Sequence, residues 1–248
     1  MNQKLWITWE DHRRSRELAR AFSCEYVFLK YVGGRLSRYI FLSWKTIALI
    51  IKRKPELIFC QNPSIFLAAL LCFFKPLFNY RLVVDRHSNF RFEELRSIHP
   101  KWILFRSLSN YSLRNADLTI VTNQHLKDIV EELGGISCIL PDKLPTLAAQ
   151  AEPSGNSRTV TFITTYSGDE PIFEVVNAAR ILGDEYHFNI TGSYKGFSDI
   201  EKLIDQLPSN VTLTGFLPDE EYERTLAQSD AIIVITTAEY TLTCGAYE

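Results

Sequence analysis

Four short stretches hold the residue types that do chemistry. His12-Arg-Arg-Ser-Arg16 stands where a helix should open. Backbone N–H groups and guanidinium groups at such a place can hold a phosphate, and the competing reading is a solvated first turn. Asp85 and His87 follow an apolar run. A carboxylate and an imidazole so placed can serve acid–base chemistry or grip hydroxyl groups, although Asp at a strand end also caps turns. Thr191-Gly192 gives a small turn where backbone can approach a diphosphate. Thr241 to Glu248 reads as a tight turn running into a helix N-terminus, with Gly245 letting an anion approach and Glu248 placed to grip ribose hydroxyls. Cys244 in that stretch reads as a packing residue rather than a nucleophile. There is no GxGxxG and no Walker loop, which argues against nicotinamide dinucleotides and P-loop chemistry.

These stretches sit between elements that the pattern of residues predicts. Short apolar strands are expected at Leu5–Trp9, Glu25–Phe28, Leu57–Cys60, Leu82–Asp85 and Leu118–Val121. Between them helices are expected at Arg13–Phe22, Leu36–Arg53, Ser64–Phe74, Lys101–Arg114 and Gln124–Leu133. Such alternation points to βαβ units and a parallel sheet covered on both faces. Residues 141–158 are rich in Pro, Ala, Ser and Gly and read as a linker. A second alternating run follows, with strands at Val160–Thr164, Tyr186–Thr191, Val211–Thr214 and Ala231–Ile235, and helices at Glu170–Leu182, Asp199–Leu207 and Asp219–Gln228. Asp169 and Asp219 are expected as N-caps. The fold class is therefore α/β with two Rossmann-like doubly wound domains, 1–140 and 159–248, the second incomplete. Polar strand-end residues gather on one edge of each sheet, and two such edges facing each other would make a cleft.

Composition narrows the classes. The chain has 248 residues, 46% hydrophobic and 23% charged, with a net charge of −2, so it is an ordinary folded protein and not a generally basic nucleic-acid binder. The charge is unevenly spread: residues 1–100 carry 17 Lys+Arg against 8 Asp+Glu, and the remainder 10 against 21. A basic half suits an anionic surface or a phosphorylated substrate, or the segregation is chance. Five scattered cysteines without a CxxC pair read as reduced thiols, and structural zinc is not expected. No signal sequence is expected at the start. The two greasy stretches, Tyr39 to Ile51 and Ile65 to Phe74, fall short of the roughly 20 residues of a spanning helix and read as buried or half-buried helices.

In combination, these pieces resemble the GT-B glycosyltransferases of the bacterial family-4 type. The resemblance rests on Trp9 with His12-Arg-Arg-Ser15, Gln61-Asn-Pro63, the Asp85/His87 strand end, Asp142-Lys143, Thr164 to Pro171, Thr191-Gly192, Val211 to Pro218 and Thr243 to Glu248, in order along nearly the whole chain. Gln-Asn-Pro and the Ser167-Gly-Asp-Glu piece are also similar to the mannosyltransferases that extend lipid-diphosphate chitobiose.

The resemblance implies an N-domain for the acceptor and a C-domain for a nucleotide-sugar donor, with no bound metal or other cofactor. It implies His87, with Asp85, at the transferred sugar, Glu239 near the donor sugar and Glu248 on the donor ribose. Thr165, Ser167, Thr191, Gly192, Lys195, Gly215, Phe216 and Gly245 would complete the donor site. His12, Arg13, Arg14, Arg16 and Asn62 would meet the acceptor. Eight residues separate Glu239 from Glu248, one more than in the family pair, and Asp169-Glu170 stand where the family has a basic pair. The family continues beyond the position of Glu248, so a chain cut short is expected to be nearly inactive. The expected acceptor is a lipid-diphosphate or glycan in cell-surface polysaccharide synthesis, reached from the cytoplasmic face of an anionic membrane. The helix from Leu36, which interleaves Arg38 and Lys45 with Tyr39, Phe41 and Trp44, either lies in that membrane interface or packs on the sheet with its charges in water. A non-catalytic binding or membrane-docking subunit, an inactive fragment and a nucleotide-sugar epimerase remain as alternatives.

Overall fold

The computed structural model describes residues 3–62, 64–87, 97–141 and 158–237. The chain forms two compact units, residues 1–143 and 144–248. The charge asymmetry follows that division: the first unit holds 22 Lys+Arg against 13 Asp+Glu, the second 5 against 16.

Six parallel strands build the first unit: β1 (Lys4–Thr8), β2 (Glu25–Phe28), β3 (Leu57–Asn62), β4 (Arg81–Arg86), β5 (Leu118–Val121) and β6 (Ser137–Ile139). Their order is β2-β1-β3-β4-β5-β6. The winding therefore changes direction between β1 and β3, the place where such sheets bind ligands. The connecting helices are α1 (Arg13–Ala21), α2 (Arg35–Arg53), α3 (Ile65–Phe78), α4 (Pro100–Asn115) and α5 (Gln124–Glu132).

Strand alternation decides which helix each side chain meets. Leu5, Ile7, Ile58, Cys60, Leu82 and Val84 face one side, where Leu42 and Ile50 of α2 and Leu67 and Leu71 of α3 cover them. Trp6, Phe59, Val83 and Ile120 face the other side, where α1 supplies Ala19. Trp6 and Phe59 stack at 5.3 Å there. By the same alternation Gln61 and Asp85 must point toward α1.

The helix ends follow local chemistry. α2 stops where Lys54 turns left-handed (φ 47°) directly before Pro55, and α3 stops at left-handed Asn79. Pro100 opens α4 at a position that needs no N–H donor. Asn123 caps α5 by accepting from the Leu126 N–H at 2.9 Å.

The second unit holds β7 (Arg158–Phe162), β8 (Tyr186–Thr191), β9 (Val211–Gly215) and β10 (Ala231–Ile233), parallel and in the order β10-β7-β8-β9. Its helices are α6 (Ile172–Leu182), α7 (Ile200–Asp205) and α8 (Asp219–Ala227). Phe162, Phe188, Ile190, Val175, Val176 and Leu203 form the core. Buried Asn210 donates to the carbonyls of Ala179, Gly183 and Tyr186 at 2.8–3.0 Å, pinning the end of α6 to the start of β8.

Three local expectations change. Strand β6 was not expected. Asp169 does not cap α6; the helix starts after Pro171, and Asp169 instead accepts from Thr236 Oγ1 at 2.5 Å, tying the β7–α6 loop to the end of β10. Asp219 is the first residue of α8 and Pro218 holds the cap position. Among the described residues no helix is long and apolar enough to cross a membrane.

Candidate active site

In the first unit the strand-end residues converge at the switch between β1 and β3. Asp85, the penultimate residue of β4, is fully buried. Arg14, in the first turn of α1, grips it with Nε at 3.1 Å from both carboxylate oxygens and Nη2 at 3.0 Å from Oδ1. Arg14 Nη2 also donates to the Leu140 carbonyl at 2.9 Å. His87 stands next to this pair, its Nδ1 3.6 Å from Asp85 Oδ2, so its Nε2 is turned away from the carboxylate. The His12 ring stacks on His87 with centroids 4.9 Å apart and planes 27° apart. Burial pushes the Asp85 carboxyl up, but the neighbouring His87 imidazole and Arg14 guanidinium outweigh it and hold the pKa below its ordinary value. The result is a fixed carboxylate beside one imidazole, with a second imidazole packed on the first.

Beside this group, Ser15 donates to Gln61 Oε1 at 2.9 Å, fixing α1 to β3. Trp9 donates to Thr46 Oγ1 at 3.1 Å, fixing α2 to the end of β1. Asn62 ends β3, in register with Arg86 on β4.

The arginines expected at a phosphate fare differently. Arg14 is only 6% exposed and pairs with Asp85, so little of it is open to an acceptor. Arg13 pairs with Glu17 at 3.2 Å and Arg16 with Asp11 at 2.6 Å, both in the open. Surface pairs of this kind are weak, which leaves Arg13 and Arg16 able to exchange partners.

In the second unit the loop after β7 is tied to itself. The Glu170 carboxylate accepts from the Thr165 N–H at 2.9 Å, the Ser167 N–H at 2.9 Å and Thr164 Oγ1 at 2.5 Å. These donors of the loop are therefore taken up by the loop's own carboxylate. Tyr166 adopts a left-handed conformation (φ 57°) and packs edge-on against Tyr194 at 5.9 Å. Gly192, at the end of β8, has φ +103°, and a Cβ there would lie 2.0 Å from the Thr164 carbonyl oxygen. Only glycine fits this approach of the β7 and β8 ends. The Gly192 N–H donates to the Gly215 carbonyl at 3.0 Å. Thr191 is buried, while Thr165, Ser167 and Lys195 are exposed and Phe216 is 78% exposed. The structure thus brings Thr165, Ser167, Thr191, Gly192 and Gly215 to one edge of this sheet. Glu239, Gly245 and Glu248 lie outside the described residues, as do Cys244 and Asp142-Lys143.

Tyr166 and the Glu170 clamp were not expected from the sequence as features of this edge, nor was the His12–His87 stack. Among the described residues no group of three His, Cys, Asp or Glu side chains is placed to hold a metal ion.

The sequence profile of Glycosyltransferase Family 4 matches residues 8–139, from the end of β1 to the end of β6. The chain belongs to glycosyltransferase family 4. The match spans more than half of the sequence and contains His12, Arg14, Asp85 and His87. A family-4 glycosyltransferase of GT-B fold accounts for both parallel sheets, and solved structures agree on the fold. Sucrose-phosphate synthase from Thermosynechococcus elongatus superposes with a TM-score of 0.74 at 13% identity, covering 95% of this chain and 76% of that one. Anabaena HepE in complex with UDP-glucose gives 0.69 at 14% identity, covering 95% and 74%. A UDP-N-acetylglucosamine 2-epimerase gives 0.60 at 12% identity, covering 94% and 74%. No curated protein matches the sequence.

Proposed function

We propose that this glycosyltransferase moves a hexosyl group from a nucleoside-diphosphate sugar to a lipid-diphosphate glycan in cell-surface polysaccharide synthesis, at an anionic membrane face of the cytoplasm. The observation that carries this is the Arg14–Asp85–His87 array inside the matched family segment. His87 contacts the transferred sugar through the edge turned away from Asp85. On the second unit, Thr165, Ser167, Thr191, Gly192, Lys195, Gly215 and Phe216 line the donor edge, with Glu239 near the sugar, Gly245 at the phosphates and Glu248 on the ribose. HepE, which shares the fold, was solved with UDP-glucose, and this supports a donor of the same chemical class. His12, Arg13, Arg16 and Asn62 are left for the acceptor. Domains of 1–140 and 159–248, joined at 141–158, are the corresponding assignment.

Incubating the chain with nucleotide sugars labelled in the sugar, together with a lipid-diphosphate disaccharide, tests the proposal. Label should move into the solvent-extractable lipid. Isomerisation of the donor without acceptor would favour an epimerase instead, and an untouched donor would favour a non-catalytic subunit.

A further inference from the structure

Three consecutive helices on one face of the first sheet carry no acidic residue. α2, α3 and α4 together hold nine Lys or Arg and not a single Asp or Glu. By contrast α1 contains Glu17, and α5 contains Asp128, Glu131 and Glu132.

The outward sides of these helices are also apolar. α2 buries Leu42, Thr46 and Ile50 against the sheet. Its opposite side should then be polar. It instead presents Leu36 (75% exposed), Ile40 (66%), Trp44 (64%) and Ile51 (54%), at helical spacings that place them on one strip. Lys45 and Lys52, both exposed, flank that strip, and Lys45 lies over the Phe41 ring at 4.9 Å. On α3, Phe73 (68%) and Leu77 (71%) are exposed in the same way. Tyr39 of α2 and Phe66 of α3 meet at 5.1 Å, and both rings touch Trp9, joining the two strips at the strand-end edge of the sheet.

We infer that the outer face of α2 and α3, with the start of α4, is a docking surface for an anionic lipid bilayer, into which Ile40, Trp44, Phe73 and Leu77 insert. A protein partner would be expected to find acid–base complementarity, whereas this face offers one sign of charge around an apolar centre. That combination is what attracts a helix to an interface of anionic headgroups over acyl chains. The helix expected either to lie in a membrane or to pack on the sheet does both, with different sides. Because the strip starts beside Tyr39 and Phe66, at the same edge as His12 and His87, docking would bring the candidate site to the headgroup level. The inference rests on the lipid-linked reading of the acceptor, but vesicle binding requires neither donor nor acceptor, so the two can fail separately.

Sedimentation of the full chain with phosphatidylglycerol/phosphatidylcholine vesicles tests it. The bound fraction should rise with the anionic share and fall several-fold between low and about 0.5 M salt. Trp44→Glu/Phe73→Glu should lower partitioning by about tenfold or more, since it puts two charges at the insertion centre. Lys45→Glu/Lys52→Glu, which leaves the apolar strip and seven of the nine basic residues intact, should weaken binding to anionic vesicles several-fold and reduce its dependence on anionic lipid. The chain remaining in the supernatant with wholly anionic vesicles at low salt would overturn the inference. So would unchanged binding in both variants, or a dimer in light scattering that Trp44→Glu/Phe73→Glu dissolves, which would make a second copy the occupant.

Discussion

Arg14 and Asp85 form a two-pronged ion pair across 71 residues of sequence, sealed from water beneath His87. Arg14 also reaches the Leu140 carbonyl and Asp85 also has His87 beside it, but the two opposite charges at that depth are each other's ion-pair partners. The pair joins the first turn of α1 to the end of β4, and His87 lies directly beside it.

Asp85→Asn should be strongly destabilising, by about 3–5 kcal/mol, because it strands a buried guanidinium. Urea unfolding followed by circular dichroism measures it. A loss under about 1 kcal/mol would show that water reaches the site.

The same carboxylate predicts a pH dependence. Its pKa in the folded protein lies below the ordinary 3.8. The stability it contributes is therefore complete above about pH 4 and is lost as pH falls through the lower folded value. Wild-type melting temperature should drop steeply below pH 4, and Asp85→Asn should flatten that drop. Parallel acid profiles for the two proteins would refute the assignment.

His87→Ala should leave the fold intact and cut kcat/KM by about 10- to 100-fold, the value of one or two hydrogen bonds to the transferred sugar. Initial rates with a soluble acceptor, beside a thermal melt, check this. A stable variant with wild-type turnover would remove His87 from the site.

Gly192→Ala should cost at least about 2 kcal/mol, since it combines a left-handed backbone with a steric overlap on the Thr164 carbonyl. Gly134→Ala makes a useful control: its φ is also positive, at +82°, but no atom lies within 4 Å of the added Cβ. Equal melting temperatures for the two variants would disprove the close approach of β7 and β8.

Most of the first sheet was legible because its strands are short, apolar and separated by periodic helices. Glu25–Phe28 and Leu118–Val121 have the expected ends. β6 escaped because its three residues, Ser-Cys-Ile, have too little pattern and gain their form by pairing with β5. The cap expected at Asp169 failed for a tertiary reason: its carboxylate is drawn to Thr236, 67 residues away. Asp85 and His87 could be picked out by position after an apolar run. The role of Arg14 could not, since Arg13, Arg14 and Arg16 look alike in sequence. Alternation turns Asp85 toward α1, and the face of α1 that buries Arg14, Ser15 and Ala19 separates Arg14 from its neighbours.

The loop from Thr164 to Glu170 is held by its own carboxylate before anything binds. A flexible loop must surrender conformational freedom when a ligand orders it, and that loss is subtracted from affinity. Here the surrender has already happened during folding. A donor reaching this edge meets a finished surface, so its association should proceed in a single kinetic phase whose rate grows linearly with donor concentration, without a plateau from slow loop closure.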